Sequence, residues 1–341
     1  MKYNLNKTPV TTTNNFKIND IELELNVPNS LRNFSYKVSE YDQSKINIKL
    51  NLERELVTRI GLPYNDHYNL NIDVADNYKT KTPLILEYNL DSDLIANINL
   101  NIGENSFINV IIKCLNKETV FHYLKQVTNI KKNSTVIVSL VNLFNDDVTN
   151  LVAMESNIDE NGALEYNYID LGGNTKISNY YAKLSGKNSL NNFNNIYFGN
   201  NKDILDMNYY IACNAPNTKA NILSEGALKD NAIKSYKGTI DFISGCKGSK
   251  GEELENCVLL SETAKSKSLP MLLCGEEDVE GSHGVATGKI DKDKLFYLES
   301  KGLNQVKATR LIVNGNFNKV LKKIRNEETR ELILKAIESK L

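Results

Sequence analysis

Glu104-Asn105-Ser106-Phe107-Ile108-Asn109-Val110-Ile111-Ile112 is answered by Lys132-Asn133-Ser134-Thr135-Val136-Ile137-Val138-Ser139-Leu140, and again by Glu160-Asn161-Gly162-Ala163-Leu164-Glu165-Tyr166-Asn167-Tyr168. Lys187-Asn188-Ser189 and Pro216-Asn217-Thr218 continue the series, so successive asparagines stand 28, 28, 27 and 29 positions apart. A fixed period of this length marks a solenoid or an array. Asn followed by a small residue is turn chemistry, and the β-branched and aromatic residues that follow it are strand chemistry. The period therefore favours a β-solenoid over a helical one. A β-sandwich also places short strands at regular spacing and is the competing fold on pattern alone.

Outward from this repeat the chain divides into three parts. Residues 1–95 mix strand-like alternation (Ile21 to Val27, Ile46 to Leu50) with Pro9, Pro28, Pro63 and Pro83, and read as an irregular N-terminal region. Residues 96–290 carry the repeat. From Asp291 the period changes to that of helices, giving a C-terminal helical domain over 291–341. Asp291 suits an N-cap and Gly302 a C-terminal stop. Asn304 caps a run through Val306, Ala308, Leu311 and Ile312 that Gly315 is expected to end. Phe317, Val320, Leu321 and Ile324 then fall at i, i+3, i+4 and i+7, an apolar helix face. Glu327 and Glu328, with Lys335 and Lys340 further on, complement the dipole of a last helix.

Composition narrows the chemistry. The 341 residues carry 41 Lys plus Arg against 42 Asp plus Glu, a net charge of -1, which leaves no electrostatic footprint for nucleic acid. Mean hydropathy is -0.38, and no run approaches the ~18 apolar residues of a spanning helix, so no membrane partner is expected. The N-terminus lacks the apolar core of a signal peptide, and a cytoplasmic location is the expectation. Asparagine is heavily used, but an A/T-rich genome also produces such a bias, so its abundance is not read as function. Cys114, Cys213, Cys246, Cys257 and Cys274 form no Cys-x-x-Cys pair and read as thiols, most simply as small buried hydrophobes. With His67, His122 and His283 the only histidines, a stable zinc site is not expected.

Two glycine-rich stretches invite a nucleotide-binding reading and fail it. In Gly281-Ser282-His283-Gly284-Val285-Ala286-Thr287-Gly288-Lys289 the phosphate-loop glycine is replaced by His283, and Ile290 stands where a Ser or Thr would hold Mg²⁺. Gly245-Cys246-Lys247-Gly248-Ser249-Lys250-Gly251 lacks the Gly-Lys-Ser/Thr ending and reads as a loop between strands. Ser282 beside His283 is no catalytic dyad, because neighbouring strand residues point to opposite faces.

The stretch from Ser224 to Ile324 carries a specific resemblance. Ser224-Glu225-Gly226, Tyr236-Lys237-Gly238, Asn256-Cys257-Val258-Leu259-Leu260, Ser268-Leu269-Pro270 and Glu280-Gly281-Ser282-His283-Gly284-Val285-Ala286-Thr287 follow in order. Leu295-Phe296-Tyr297-Leu298-Glu299-Ser300-Lys301-Gly302-Leu303 and Ala308-Thr309-Arg310-Leu311-Ile312-Val313-Asn314-Gly315 complete the set. Together they resemble the SufB/SufD family, scaffold subunits of the Suf iron–sulfur cluster assembly machinery. Leu5-Asn6-Lys7-Thr8-Pro9-Val10-Thr11 through Phe16-Lys17-Ile18-Asn19 resembles the family's N-terminal segment more weakly, without its tryptophans.

The resemblance implies a mainly β protein, a right-handed parallel β-helix with helical ends. Ser282-His283-Gly284 is similar to the SufD branch, whose pattern is Cys-Ser-His-Gly, rather than to the Glu-His-Glu of SufB. The SufD cysteine position is here Gly281, and the SufB cysteine position is Ala264. The family pattern thus makes His283 the candidate iron or cluster ligand at a subunit interface. It also implies a non-enzymatic, SufD-like subunit that pairs with a SufB-like chain, or with itself, and binds the SufC-type ABC ATPase. No cofactor is expected to be stably bound, a transient iron–sulfur cluster at the interface excepted. The C-terminal helices are the expected ATPase contact, through Leu311, Ile312, Phe317, Val320, Leu321 and Ile324, with some of their apolar surface closing the end of the β-helix. Lys319, Lys322, Lys323 and Arg325 would steer an acidic partner. From another class, a β-helix carbohydrate-active enzyme or adhesin would need acidic clusters along a groove, and Glu276-Glu277-Asp278 is the only compact group near the match.

Overall fold

The computed structural model describes residues 1–11, 17–28, 34–90, 93–116 and 121–341. Phe16, part of the weak N-terminal resemblance, lies outside them. Two sheets face each other, and the chain alternates between them. Strands β1 (Lys2–Leu5) and β2 (Ile21–Glu24) form a separate antiparallel pair, followed by β3 (Ser35–Val38) and β4 (Ile46–Glu53). Sheet I holds β6 (Leu84–Leu90), β8 (Phe107–Asn116), β10 (Thr135–Leu143), β12 (Ala163–Asp170), β14 (Leu190–Gly199), β16 (Lys219–Leu228), β18 (Ser249–Leu259) and β20 (Val279–Lys289), with β3 at its N-terminal edge. Sheet II holds β5 (His67–Val74), β7 (Leu94–Ile102), β9 (Phe121–Ile130), β11 (Thr149–Ile158), β13 (Thr175–Leu184), β15 (Ile204–Cys213), β17 (Ile233–Phe242) and β19 (Lys265–Cys274), with β4 at its edge. Pairing within each stack is parallel, as in a β-helix of two strands per coil, and only the edge strands β3 and β4 are antiparallel.

The stacking register explains the repeat. Thr135 pairs with Phe107 on one side and Ala163 on the other, so each residue lies over its counterpart one coil away. Asn105, Asn133, Asn161, Asn188 and Asn217 all occupy the corner between sheet II and sheet I with φ between 53 and 61°. Asn tolerates this left-handed region better than other side chains with a Cβ. Its amide also carries both a donor and an acceptor, so stacked copies bond one another. Asn133 donates to Asn105 at 3.1 Å, Asn161 to Asn133 at 3.0 Å and Asn188 to Asn161 at 3.0 Å. A second ladder runs from Asn157 through Asn129 and Asn101 to Asp73. The asparagines that define the period are therefore structural.

Parallel stacking reaches further toward the N-terminus than residue 96. Tyr68 pairs with Ala96 and Leu84 with Val110, so β5 and β6 already belong to the coils, while β3 and β4 cover the first of them. The stretch read as irregular is thus largely ordered. Its short antiparallel strands lie outside the 28-residue period that reveals the others.

Between the sheets alternate residues form the core, Val136, Val138 and Leu140 from β10 facing Val152 and Met154 from β11. Further along, Tyr180 stacks on Phe193 with ring centroids 4.0 Å apart, and Phe193 meets Tyr209 at 4.6 Å. The two outer faces are covered differently. Leu5, Leu25, Leu56, Ile60 and Leu62 from the N-terminal region lie over Ile95, Tyr123, Leu151 and Ile177 of sheet II.

Helix α1 (Lys292–Ser300) buries no residue and lies beside α2, while the outer face of sheet I is covered by α2 (Gln305–Leu321) and α3 (Glu327–Lys340). Asp291, Asn304 and Asn326 cap them with side-chain bonds to first-turn amides. Gly315 does not end a helix. α2 runs through it, because Val313, Phe317, Val320 and Leu321 on either side are buried against sheet I, which offsets the ~1 kcal/mol that an interior glycine costs. The helices also do not close the last coil. Phe317, Val320, Leu321 and Ile324 pack on Val141, Ile169, Ile196, Phe198 and Ala227, and the face of β20 stays open.

Candidate functional site

β20 is the final strand of sheet I, with β18 on one side and, among the described residues, no strand on the other. Nearly every residue along it is exposed, His283 included. His283 pairs in register with Glu253 of β18, and Gly281 with Gly251. Residues two apart share a strand face. A Cβ at Gly281 would meet the Phe242 ring at 3.0 Å and Leu272 at 3.2 Å, so positions 281 and 283 both belong to the face turned toward the interior of the coil. His283 is exposed despite this because nothing stacks beyond the last coil. Ala264, 7% exposed and part of the core, precedes β19, whereas Gly281 lies near the start of β20. Register puts Gly281 opposite the first residues of β18, and Ala264 follows the end of that strand. The two positions that hold cysteines in the family pattern thus stand at opposite sides of the last coil, and neither holds a thiol here.

Beneath His283 the interior of β17, β18 and β19 is polar, which the sequence did not reveal. Lys234 donates to Glu255 at 2.7 Å and to Ser268 at 2.9 Å, and Ser268 donates to Glu255 at 3.1 Å. The Tyr197 hydroxyl also bonds Glu255. Glu253 is fully buried, and neither of its carboxylate oxygens finds a hydrogen-bond partner. Burial pushes its carboxyl up to about 8, with the Tyr236 hydroxyl nearby offsetting part of the effect. Gly238 makes room for it, since a Cβ there would collide with Glu253 Oε1. Glu252, Glu253 and Glu255 belong to no motif in the sequence. Alternation counted from Gly251 to Cys257 is the signal that would have turned Glu253 and Glu255 inward.

Four of the five thiols conform to packing, and Cys274 does not. Cys114, Cys213, Cys246 and Cys257 are buried, and burial raises each above the usual thiol range, Cys213 to about 12. Cys274 is exposed. Among the described residues no group of three or more His, Cys, Asp and Glu side chains lies close enough to hold a metal ion. His122 sits between Tyr88 Oη at 3.2 Å and Asn150 Oδ1 at 2.8 Å, and burial lowers it to about 4, so it is a neutral core residue. His67 is likewise buried. Glu276, Glu277 and Asp278 lie in the exposed turn between β19 and β20, where Glu276 accepts from the Gly245 amide.

On the helices only part of the expected docking set is at the surface. Phe317, Val320, Leu321 and Ile324 are at most 2% exposed, because they form the contact with sheet I, and so offer nothing to a partner. Ile312 is half-buried, while Leu311 is 53% exposed. Val306, Phe296 and Tyr297 are also exposed. Lys319 and Lys323 are engaged by Glu225 and Glu165 of sheet I, leaving Lys322 and Arg325 of the basic run without an ion pair among the described residues. No described helix is long and apolar enough to cross a membrane.

Comparison with known proteins bears on these features directly. Residues 89–316 match the family model for the SUF system FeS cluster assembly, SufBD core domain. An iron–sulfur cluster assembly SufBD family protein of Mycobacterium leprae is 26% identical over 204 residues, covering 58% of this chain and 52% of its own length. A Mycobacterium tuberculosis protein of the same description is 28% identical over 204 residues, covering 58% and 51%. One from Staphylococcus saprophyticus is 23% identical over 248 residues, covering 71% and 53%. The chain spans about half the length of these curated relatives. Since the matched segment takes in most of the coils, His283 and the first part of the helical region, the chain belongs to the SufBD family of iron–sulfur cluster assembly proteins.

Proposed function

We propose that the chain is a SufD-like, non-enzymatic scaffold that pairs through its open last coil with a SufB-like chain, or with a second copy of itself, and binds a SufC-type ATPase through α1 and α2. The observation that carries this reading is the unpaired, exposed edge of β20 with His283 on it. A bare strand edge is a template for another chain, and proteins normally cover it. An imidazole beside such an edge can complete a cluster whose thiolates come from the partner, since His replaces Cys on iron in some iron–sulfur centres. The isolated chain then holds neither a stable cluster nor stoichiometric zinc, and the cluster is cargo built at the interface.

His283→Ala tests the site. Because the side chain is exposed, its loss is expected to leave the melting temperature unchanged. Iron and sulfide recovered on the complex assembled with its SufB-like and SufC-type partners are expected to fall severalfold. Unchanged loading would remove His283 from the site.

For the ATPase contact, Leu311 with Val306, Phe296 and Tyr297 supplies the apolar surface that the sheet does not cover. Val306→Glu together with Leu311→Glu is expected to weaken SufC binding at least tenfold by titration calorimetry without loss of fold. Deleting residues 304–341 is a poor test, because it would strip Val141, Ile169, Ile196 and Phe198 of their cover.

A further inference from the structure

The outer face of sheet II carries a buried polar cluster that the assembly role does not use. Asp206 on β15 and Lys237 on β17 pair at 2.6 Å, and neither side chain is more than 1% exposed. Asn179 and Asn208 flank them, also buried. The centre is filled by Asn6, next to β1. Its Nδ2 donates to Asp206 Oδ1 at 2.6 Å and to the Ser178 carbonyl at 3.1 Å, and its Oδ1 accepts from Asn179 at 2.9 Å. Its backbone carbonyl accepts from Lys237 at 3.1 Å, and the carbonyl of Lys7 accepts from Asn208 at 2.8 Å.

We propose that Asn179, Asp206, Asn208 and Lys237 form a peptide-recognition seat that reads an asparagine at a left-handed bend of a segment, filled here by residues 5–8 and able to take the same segment from a second copy of this chain. The proposal is independent of the cluster-assembly reading. A segment held only for packing would meet apolar side chains, as Leu5 does. Asn6 instead has its donor, acceptor and carbonyl all matched, by residues of three strands, β13, β15 and β17, which is how a ligand is selected. Aspartate would lose the donor and set a carboxylate against Asp206, alanine would lose both amide groups, and φ of 55° at this residue suits Asn. The ion pair and the two amides can hydrate when the segment leaves, and the apolar surface uncovered is that beneath Leu5.

The test uses the full chain carrying Asn6→Asp and, as probe, a fluorescein-labelled peptide of residues 1–11. In the variant, tryptic cleavage after Lys7 is expected to speed up at least tenfold over wild type. The wild-type peptide is expected to bind the variant by anisotropy at least tenfold more tightly than a peptide with the same Asn6→Asp change. The wild-type chain, its seat filled, is expected to bind neither. Circular dichroism reports the fold, and Asn6→Ala, which adds no charge, serves if the first variant does not fold. Unchanged cleavage at Lys7 in a folded variant, or equal binding of the two peptides, would overturn the proposal.

Discussion

Lys237→Met is expected to lower the unfolding free energy by about 3–5 kcal/mol, because it leaves the Asp206 carboxylate buried without its counter-charge. Asp206 and Lys237 are both shielded from solvent, so little screening softens the loss. Asp206→Leu made in the same chain is expected to restore most of it, since an apolar pair of similar volume avoids the desolvation of both ions. Urea unfolding of the two single variants and the double variant closes the cycle. A loss below ~1 kcal/mol for Lys237→Met would mean that water reaches the pair and that the segment over it is not docked in solution.

Glu253→Gln is expected to stabilise the protein, increasingly so from pH 5 to pH 8. The sign follows from which state holds the proton more tightly. Burial raises the carboxyl from 4.5 to about 8, so the folded chain binds its proton more strongly than the unfolded one. The stability tied to that proton is complete below pH 4.5 and is lost as pH rises toward 8. Glutamine keeps the shape without the titration. The gap to wild type should reach a few kcal/mol, on the order of 1.4 kcal/mol for every tenfold by which folding tightens proton binding, and then level off. Asp170, raised by burial to about 6, acts in the same sense over a lower range. His122, lowered to about 4, acts oppositely and costs stability as pH falls below 6.5. The two carboxyls together outweigh His122, so these groups should make wild-type stability fall as pH rises from 4.5 toward 8. Melting curves of both proteins across this range check it, and a gap that does not vary with pH would show that Glu253 is not buried as described.

The coils were legible because stacking without register shift places the same demand on every corner. Asn105, Asn133, Asn161 and Asn188 answer it with one residue type, at an interval that can be counted. Two helix caps were legible for a similar reason, as Asp291 and Asn304 each satisfy amides a few residues away. What the sequence withheld is the destination of surfaces. The apolar face of Phe317, Val320, Leu321 and Ile324 looks the same whether it covers a sheet, closes an end or binds a partner, and only the fold places it on sheet I. Gly315 misled because its cost is local while the burial that offsets it is distant. Glu253 and Glu255 were hidden by exposed neighbours, since composition cannot tell the inner face of a strand from the outer one.

Asn6 meets partners as far along the chain as Lys237, a separation of 231 residues. The strand pairings of the coils can form as the chain leaves the ribosome, because each strand pairs with one made about 28 residues before it. The first residues must wait. At elongation rates of about 5–20 residues per second, Lys237 is added roughly 10–45 s after Asn6. The segment around Asn6 thus stays undocked until β17 has been made, and for that interval it is open to chaperones, to proteases and to a neighbouring nascent chain on the same message.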